Sequence, residues 1–344
     1  RDRLLEAEPY ILSFLVDAIL PENSDHVPRS VFYAAMKALE CISMKKVWGS
    51  DILRCMGGNV SHGVLFQCLR LIKASVAEEN DDYFEKGNIL FFNMLANMIN
   101  TKSILPRLAS GGLLNDLMPF LDIHSKYKWT CSAAVHLLSL FISGFPESLD
   151  EFIANDGFNS LISDIQFEVN AVLMGSPDED TYGECPPYTK IPLRKANFLR
   201  NLMKFVADLL NSDHGDRLRN LFDSPILVSF NKIINQPEIF GPAILACTID
   251  SVFFIIHNEP TAFSILNEAK VIDSILDNYK RLFIPSGQLL MSLPEVLGAI
   301  CLNNDGLNKV VKKKSIPIFF ETFYQLTIAK VLVCLLYTSD AADD

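Results

Sequence analysis

The chain has 344 residues, 49% of them hydrophobic, and a formal net charge of −11. That length exceeds what one compact core usually supports, so several domains or an elongated repeat is expected. The apolar content excludes general disorder, and the acidic balance disfavours direct binding of nucleic acid.

In chain order, one layout recurs six times. It begins with AMKALECISMKKVWGSDILRCMGGNVSHGVLFQCLRLI from Ala35 and returns at Phe91, Ala134, Asn201, Thr248 and Ser292. Each copy opens with an apolar helix of 3.6-type spacing. A polar corner follows, as at Asn100-Thr101, Ser143-Gly144, Asn211 to Asp213, His257 to Pro260 and Asn303-Asn304-Asp305-Gly306. Then come a short helix, a second break and a further amphipathic helix.

The second breaks fall at Gly57-Gly58, Gly111-Gly112, Asp156-Gly157, Asp223 to Pro225, Glu268-Ala269 and Lys314-Ser315. Glycine and Asn or Asp suit a left-handed helix end, and Ser, Asp or Asn then caps the next start. The interval of roughly 45 residues is that of armadillo or HEAT-like repeats, and strand signals are nearly absent. These features predict an all-α, armadillo/HEAT-like α-solenoid of about six units, continuous over 1–333. Gly57, Gly58, His62, Gly111, Gly112, Gly157, Asn303, Asn304 and Gly306 are read as its structural corners.

One stretch, 173–190, breaks the pattern with SPDEDTYGECPPYTK and is read as a flexible acidic insertion. Lys190, Arg194, Lys195, Arg200 and Lys204 follow it as a basic helix start. Ile239 to Ile256 is the most membrane-like segment, but Asp250 interrupts it and a buried core helix is expected. Cys334 to Asp344 lacks the preceding periodicity. It resembles translated sequencing adapter, so 334–344 is set aside as non-native and the chain is expected to be a piece of a larger protein.

Catalysis needs a constellation, and none emerges. A phosphate-binding glycine loop and HExxH are both absent. The six histidines are far apart, and Asp213-His214 has no nucleophile in a defined relation to it. His62 is read as a packed or capping residue where Asn59 or Ser61 caps a helix beginning near Gly63. The eight cysteines are scattered without a CxxC pair, so buried thiols in a reducing compartment are expected rather than zinc or disulfides. Cys301 reads as a core thiol, and Cys185 as a poor nucleophile among acids. No catalytic residue, metal or cofactor is expected. Partner binding is assigned to two charged runs, Asp178-Glu179-Asp180 and Lys312-Lys313-Lys314; the lysines also suit a helix C-terminus.

The blocks NVSHGVLFQCLR and FFNMLANMINTKSILPRLASGGLLNDLMPFL, then FGPAILACTIDSVFFIIHNEP and LLMSLPEVLGAICLNNDGLNKVV, stand in a fixed order. This ordered set resembles the N-terminal helical region of the giant HECT-type E3 ubiquitin ligases, the Mule-type family with fungal and plant relatives, from about Ser30 to Lys330. The resemblance implies a non-catalytic scaffold or substrate-recruitment segment, with the thioester-forming cysteine on a distant domain outside this chain. Its implied partners are protein substrates, basic proteins among them, and other segments of the same ligase. No membrane association is expected, and the implied location is cytoplasmic and/or nuclear. The alternative is a free-standing armadillo-like adaptor without an enzyme domain.

Overall fold

The computed structural model describes residues 8, 10–23, 26–58, 60–175, 185–212 and 225–323. Among the described residues every regular element is helical. The chain divides into two compact units, residues 1–161 and 162–344.

Unit 1 opens with α1 (Ile11–Asp17) and continues as triplets of helices. The first triplet is α2 (Arg29–Ser43), α3 (Gly49–Cys55) and α4 (Val64–Ala77). The second is α5 (Glu85–Ile99), α6 (Leu105–Ser110) and α7 (Leu113–Leu117), prolonged by the 3-10 turn Met118–Leu121. The third begins with α8 (Lys128–Gly144), α9 (Ser148–Ala154) and α10 (Gly157–Met174), the last crossing the division between units.

The long leading helices lie side by side, α2 on α5 and α5 on α8. Their apolar residues recur every three to four positions, and α5 buries Leu90, Phe91, Phe92, Met94, Leu95, Met98 and Ile99. A stripe that wide serves two neighbours at once. Phe92 stands edge-on to both Phe91 and Phe120, with ring centroids 5.9 and 5.8 Å apart, the arrangement that aromatic quadrupoles favour. Polar bonds join the same helices. Asn97 Nδ2 donates to Ser43 Oγ at 3.1 Å, and Asn93 Nδ2 donates to the buried Glu40 carboxylate at 3.5 Å. Loops are tied likewise: Tyr127 donates its hydroxyl proton to the Asn80 carbonyl at 2.6 Å.

In unit 2 the described helices are α11 (Leu193–Leu210), α12 (Ile226–Asn235), α13 (Pro237–Asn258), α14 (Phe263–Glu268) and α15 (Val271–Asn278). They are followed by α16 (Gly287–Cys301), α17 (Asn304–Lys313) and α18 (Ser315–Phe323). Here α13 packs between α11 and α16 while α12 packs on α15. A polar ladder crosses the second row. Asn235 Nδ2 donates to Ser274 Oγ at 3.2 Å, Asn278 Nδ2 donates to Asn235 Oδ1 at 2.8 Å, and Arg281 donates to both Glu238 oxygens at 2.9 and 2.6 Å. The guanidinium holds the Glu238 carboxyl below its ordinary range.

Helix α13 is long and apolar enough to cross a membrane by length and composition, yet 67% of its most apolar stretch is buried within the protein. Its Asp250, half-buried, accepts from Gln288 at 3.4 Å, and burial raises its carboxyl above the usual range. The helix bends at Gly241, where φ is 75° and ψ 173° and Pro242 follows. Proline supplies no N–H there, so the bend leaves one fewer donor without a partner.

Two expectations are corrected. Side-chain capping by Ser, Asp or Asn is observed only at Asn303 among the helix starts whose caps are described. Left-handed residues do mark the second breaks, and Gly57, Gly112 and Asp156 are of the expected types, but Lys270 and Lys314 are not. In the fifth unit the turn therefore falls just after the expected Glu268-Ala269. Lys270 bears the left-handed strain there, directly before the fully buried Val271 and Ile272.

Replacing Phe92 by Ala is expected to destabilise unit 1 by about 3–5 kcal/mol. The urea midpoint of the chain measures it, and an unchanged midpoint would show that the long-helix row does not depend on this ring.

Candidate functional site

The corner residues are structural in their immediate chemistry. Gly57 and Gly112 adopt positive φ of 61° and 90°. Gly58, Gly111 and Gly157 are places of close approach, since a Cβ there would lie 2.1 Å from Leu53, 2.3 Å from Phe66 and 2.4 Å from Phe152 respectively. At the last corner Asn303 accepts from the backbone N–H groups of Asp305 at 2.9 Å and Gly306 at 3.4 Å, and Asn304 begins α17. Gly306 is buried, and a Cβ on it would stand 2.1 Å from the Ile300 carbonyl oxygen.

His62 is exposed, not packed, and offers its backbone carbonyl to Gln67 Nε2 at 2.9 Å. The helix after it starts at Val64, with Gly63 as N-cap and no side-chain cap, so Ser61 does not play the expected part. Asn59 and the Asp213-His214 pair lie outside the described residues.

The thiols are less uniformly buried than expected. Cys131 and Cys247 are buried, Cys55, Cys68 and Cys301 half-buried, and Cys41 and Cys185 exposed. Burial pushes the Cys68 and Cys247 thiols up to about 12 and raises Cys55 and Cys301 in the same direction. A raised thiol holds little thiolate at neutral pH, the opposite of what a nucleophile requires.

The two charged runs assigned to partner binding fare differently. Asp178, Glu179 and Asp180 lie outside the described residues. Lys312, Lys313 and Lys314 are exposed at the end of α17. Lys313 pairs with Asp277, which raises its pKa, and Lys309 pairs with Asp273 at 2.8 Å. The run thus also serves to hold α17 against α15.

Unit 2 also carries a groove that no sequence motif announces. It holds about 400 Å³ and lies among the N-terminal parts of α11 and α13, the residues around Pro186 and the approach to α16. Thr189 anchors its wall: its hydroxyl donates to the Ile239 carbonyl at 2.7 Å, and the Lys190 N–H donates to the same oxygen at 3.0 Å. A Cβ on Gly241 would stand 2.7 Å from the Thr189 Cβ, so glycine is required for the wall to close. The end of the 173–190 stretch is therefore pinned to α13. Arg200, one of the basic residues noted in the sequence, reaches this groove.

Helix triplets whose long members pack side by side, with tight corners between them, define an armadillo-type α-solenoid. A designed armadillo repeat protein for modular peptide recognition matches it with a TM-score of 0.54 and 14% identity, over 84% of this chain and 99% of that one. An engineered protein matches with a TM-score of 0.59 and 13% identity, over 85% and 99%. The chain belongs to the family described as Domain of Unknown Function (DUF913), which matches residues 132–340; DUF908 matches residues 1–74. It is 40% identical to the probable E3 ubiquitin-protein ligase TOM1 of Eremothecium gossypii and 38% identical to E3 ubiquitin-protein ligase TOM1 of Saccharomyces cerevisiae. Both alignments cover 96% of this chain but 10% of the relative. Mouse E3 ubiquitin-protein ligase HUWE1 is 23% identical over 76% of the chain and 6% of its own length. The chain thus corresponds to one segment, about a tenth, of large E3 ubiquitin ligases.

The corners separate two kinds of glycine. Gly112→Ala, with nothing within 4 Å of its added Cβ, is expected to lose about 1 kcal/mol from left-handed strain alone. Gly306→Ala is expected to lose more, because the obstacle is backbone. Thermal melting of the two variants checks the order, and equal losses would contradict it.

Proposed function

We propose that this chain is a non-catalytic recruitment scaffold within a HECT-type E3 ubiquitin ligase. The observation that carries the reading is its similarity, across 96% of its length, to a tenth of such enzymes. The raised thiols are consistent with it, since they suit packing and not thioester chemistry. Tethering a client on the same polypeptide as the catalytic domain raises its effective concentration, so weak contacts suffice.

The clients of this reading are basic proteins. The net charge of −11 and the Asp178-Glu179-Asp180 run attract them from solution and steer their approach. The charge-bearing residues act by recruitment and take no part in transfer. The reading implies a cytoplasmic and/or nuclear setting.

The test uses a full-length ligase carrying this segment, with Asp178→Asn, Glu179→Gln and Asp180→Asn introduced together. A histone serves as the basic client. The expected result is an unchanged rate of ubiquitin thioester formation on the ligase with slower ubiquitination of the histone, the difference shrinking as salt rises. A parallel deletion of residues 1–333 tests the scaffold role itself. Thioester formation that survives with client conjugation lost supports it; client conjugation unaffected by the deletion would end it.

A further inference from the structure

We propose that the unit 2 groove is a docking site for an extended acidic peptide, which sets a carboxylate against Arg200 and a neighbouring aliphatic or aromatic side chain against a proline wall. Its lining residues are other than the acidic run proposed to attract basic clients.

The lining is apolar and almost without charge. Pro186, Pro187, Pro242 and Pro285 supply rigid faces with no N–H, and Phe240 and Ile244 complete the apolar surface. Arg200 is the one charged residue in that lining. It is half-buried, and among the described residues it has no hydrogen-bond acceptor and no ion-pair partner. Other cations of unit 2 differ. Lys204, one turn further along α11, donates to both Asp208 oxygens at 2.7 and 2.8 Å, and Arg281 holds Glu238 with two nitrogens.

A guanidinium partly withdrawn from water into apolar surroundings lacks the acceptors it needs. A carboxylate matches its planar fork with two parallel bonds, and charge-assisted bonds of this kind are among the strong ones. A basic peptide finds no acid in the lining and meets Arg200 with like charge. Arg200 thus sets a single positive charge in the lining of a chain that is acidic as a whole. That local inversion favours an acidic partner over a basic one.

The wall is also prepared in advance. The Thr189 and Lys190 bonds to the Ile239 carbonyl, together with the Ile191 N–H donated to Thr189 Oγ1 at 3.2 Å, fix the Pro186–Lys190 segment against α13. A peptide entering a preformed groove loses less to ordering of the receptor. The volume of about 400 Å³ suits a few side chains of an extended segment and not a folded element.

The test is fluorescence anisotropy with the 344-residue chain and three labelled peptides of one length. One alternates Asp with Leu and Phe, a second carries Asn in place of Asp, and a third carries Lys. The acidic peptide is expected to bind at least about ten-fold more tightly than the neutral one at low salt. Arg200→Met is expected to erase that difference while leaving the neutral peptide's affinity unchanged, and Arg200→Lys to restore part of it. Ala243→Trp, an exposed substitution in the groove, is expected to block all three, with circular dichroism showing the fold retained. Equal binding of acidic and neutral peptides, a preference for the Lys peptide, a difference that survives Arg200→Met, or binding unaffected by Ala243→Trp would each overturn the proposal. None of these readouts involves ubiquitin transfer, so their failure leaves the ligase reading standing.

Discussion

Lateral burial of the long leading helices governs this protein. Phe91 and Phe92 on α5, or Leu245, Ile249 and Val252 on α13, are all but removed from water. Burial of that extent needs neighbours on more than one side. A single triplet leaves its leading helix half-wetted, so the unit is stable only as one of a series. The apolar composition follows from this demand: residues that would give a free-standing domain a sticky surface serve the next helix along.

The packing constrains everything smaller. Helices that approach closely need short corners, and the corners need residues without a side chain or residues tolerant of left-handed backbone. At Gly306 the Ile300 carbonyl occupies the place of a Cβ; at Lys270 and Lys314 the chain accepts left-handed strain in a lysine. Hydrogen bonds such as Asn97 to Ser43 and Asn278 to Asn235 add register to an interface that hydrophobic contact alone leaves free to slide. The same constraint explains α13. Its 22 residues look like a membrane span, yet α11 and α16 enclose it within the protein.

The half-buried and buried thiols whose pKa values move all move upward, and the lysines at the end of α17 are partly engaged with acids on α15. Against that background a half-buried guanidinium without a described partner, at a wall of prolines, stands apart. It suits a surface that binds a partner.

The class of fold and the family were legible in the order of the residues alone. Spacing of apolar residues reports helices, recurrence at a fixed interval reports stacking, and both are properties of neighbours along the chain. That His62 is exposed was not legible, since exposure depends on what packs nearby. Arg200 could be seen as one cation in a basic run, but its groove joins Pro186, Pro242 and Pro285, which lie far apart in sequence. Only the tertiary structure brings them together, because the bend at Gly241 admits Thr189 against α13 and carries the proline wall with it. Local pattern decides which elements form; long-range packing decides which side chains are left without a partner, and binding begins there.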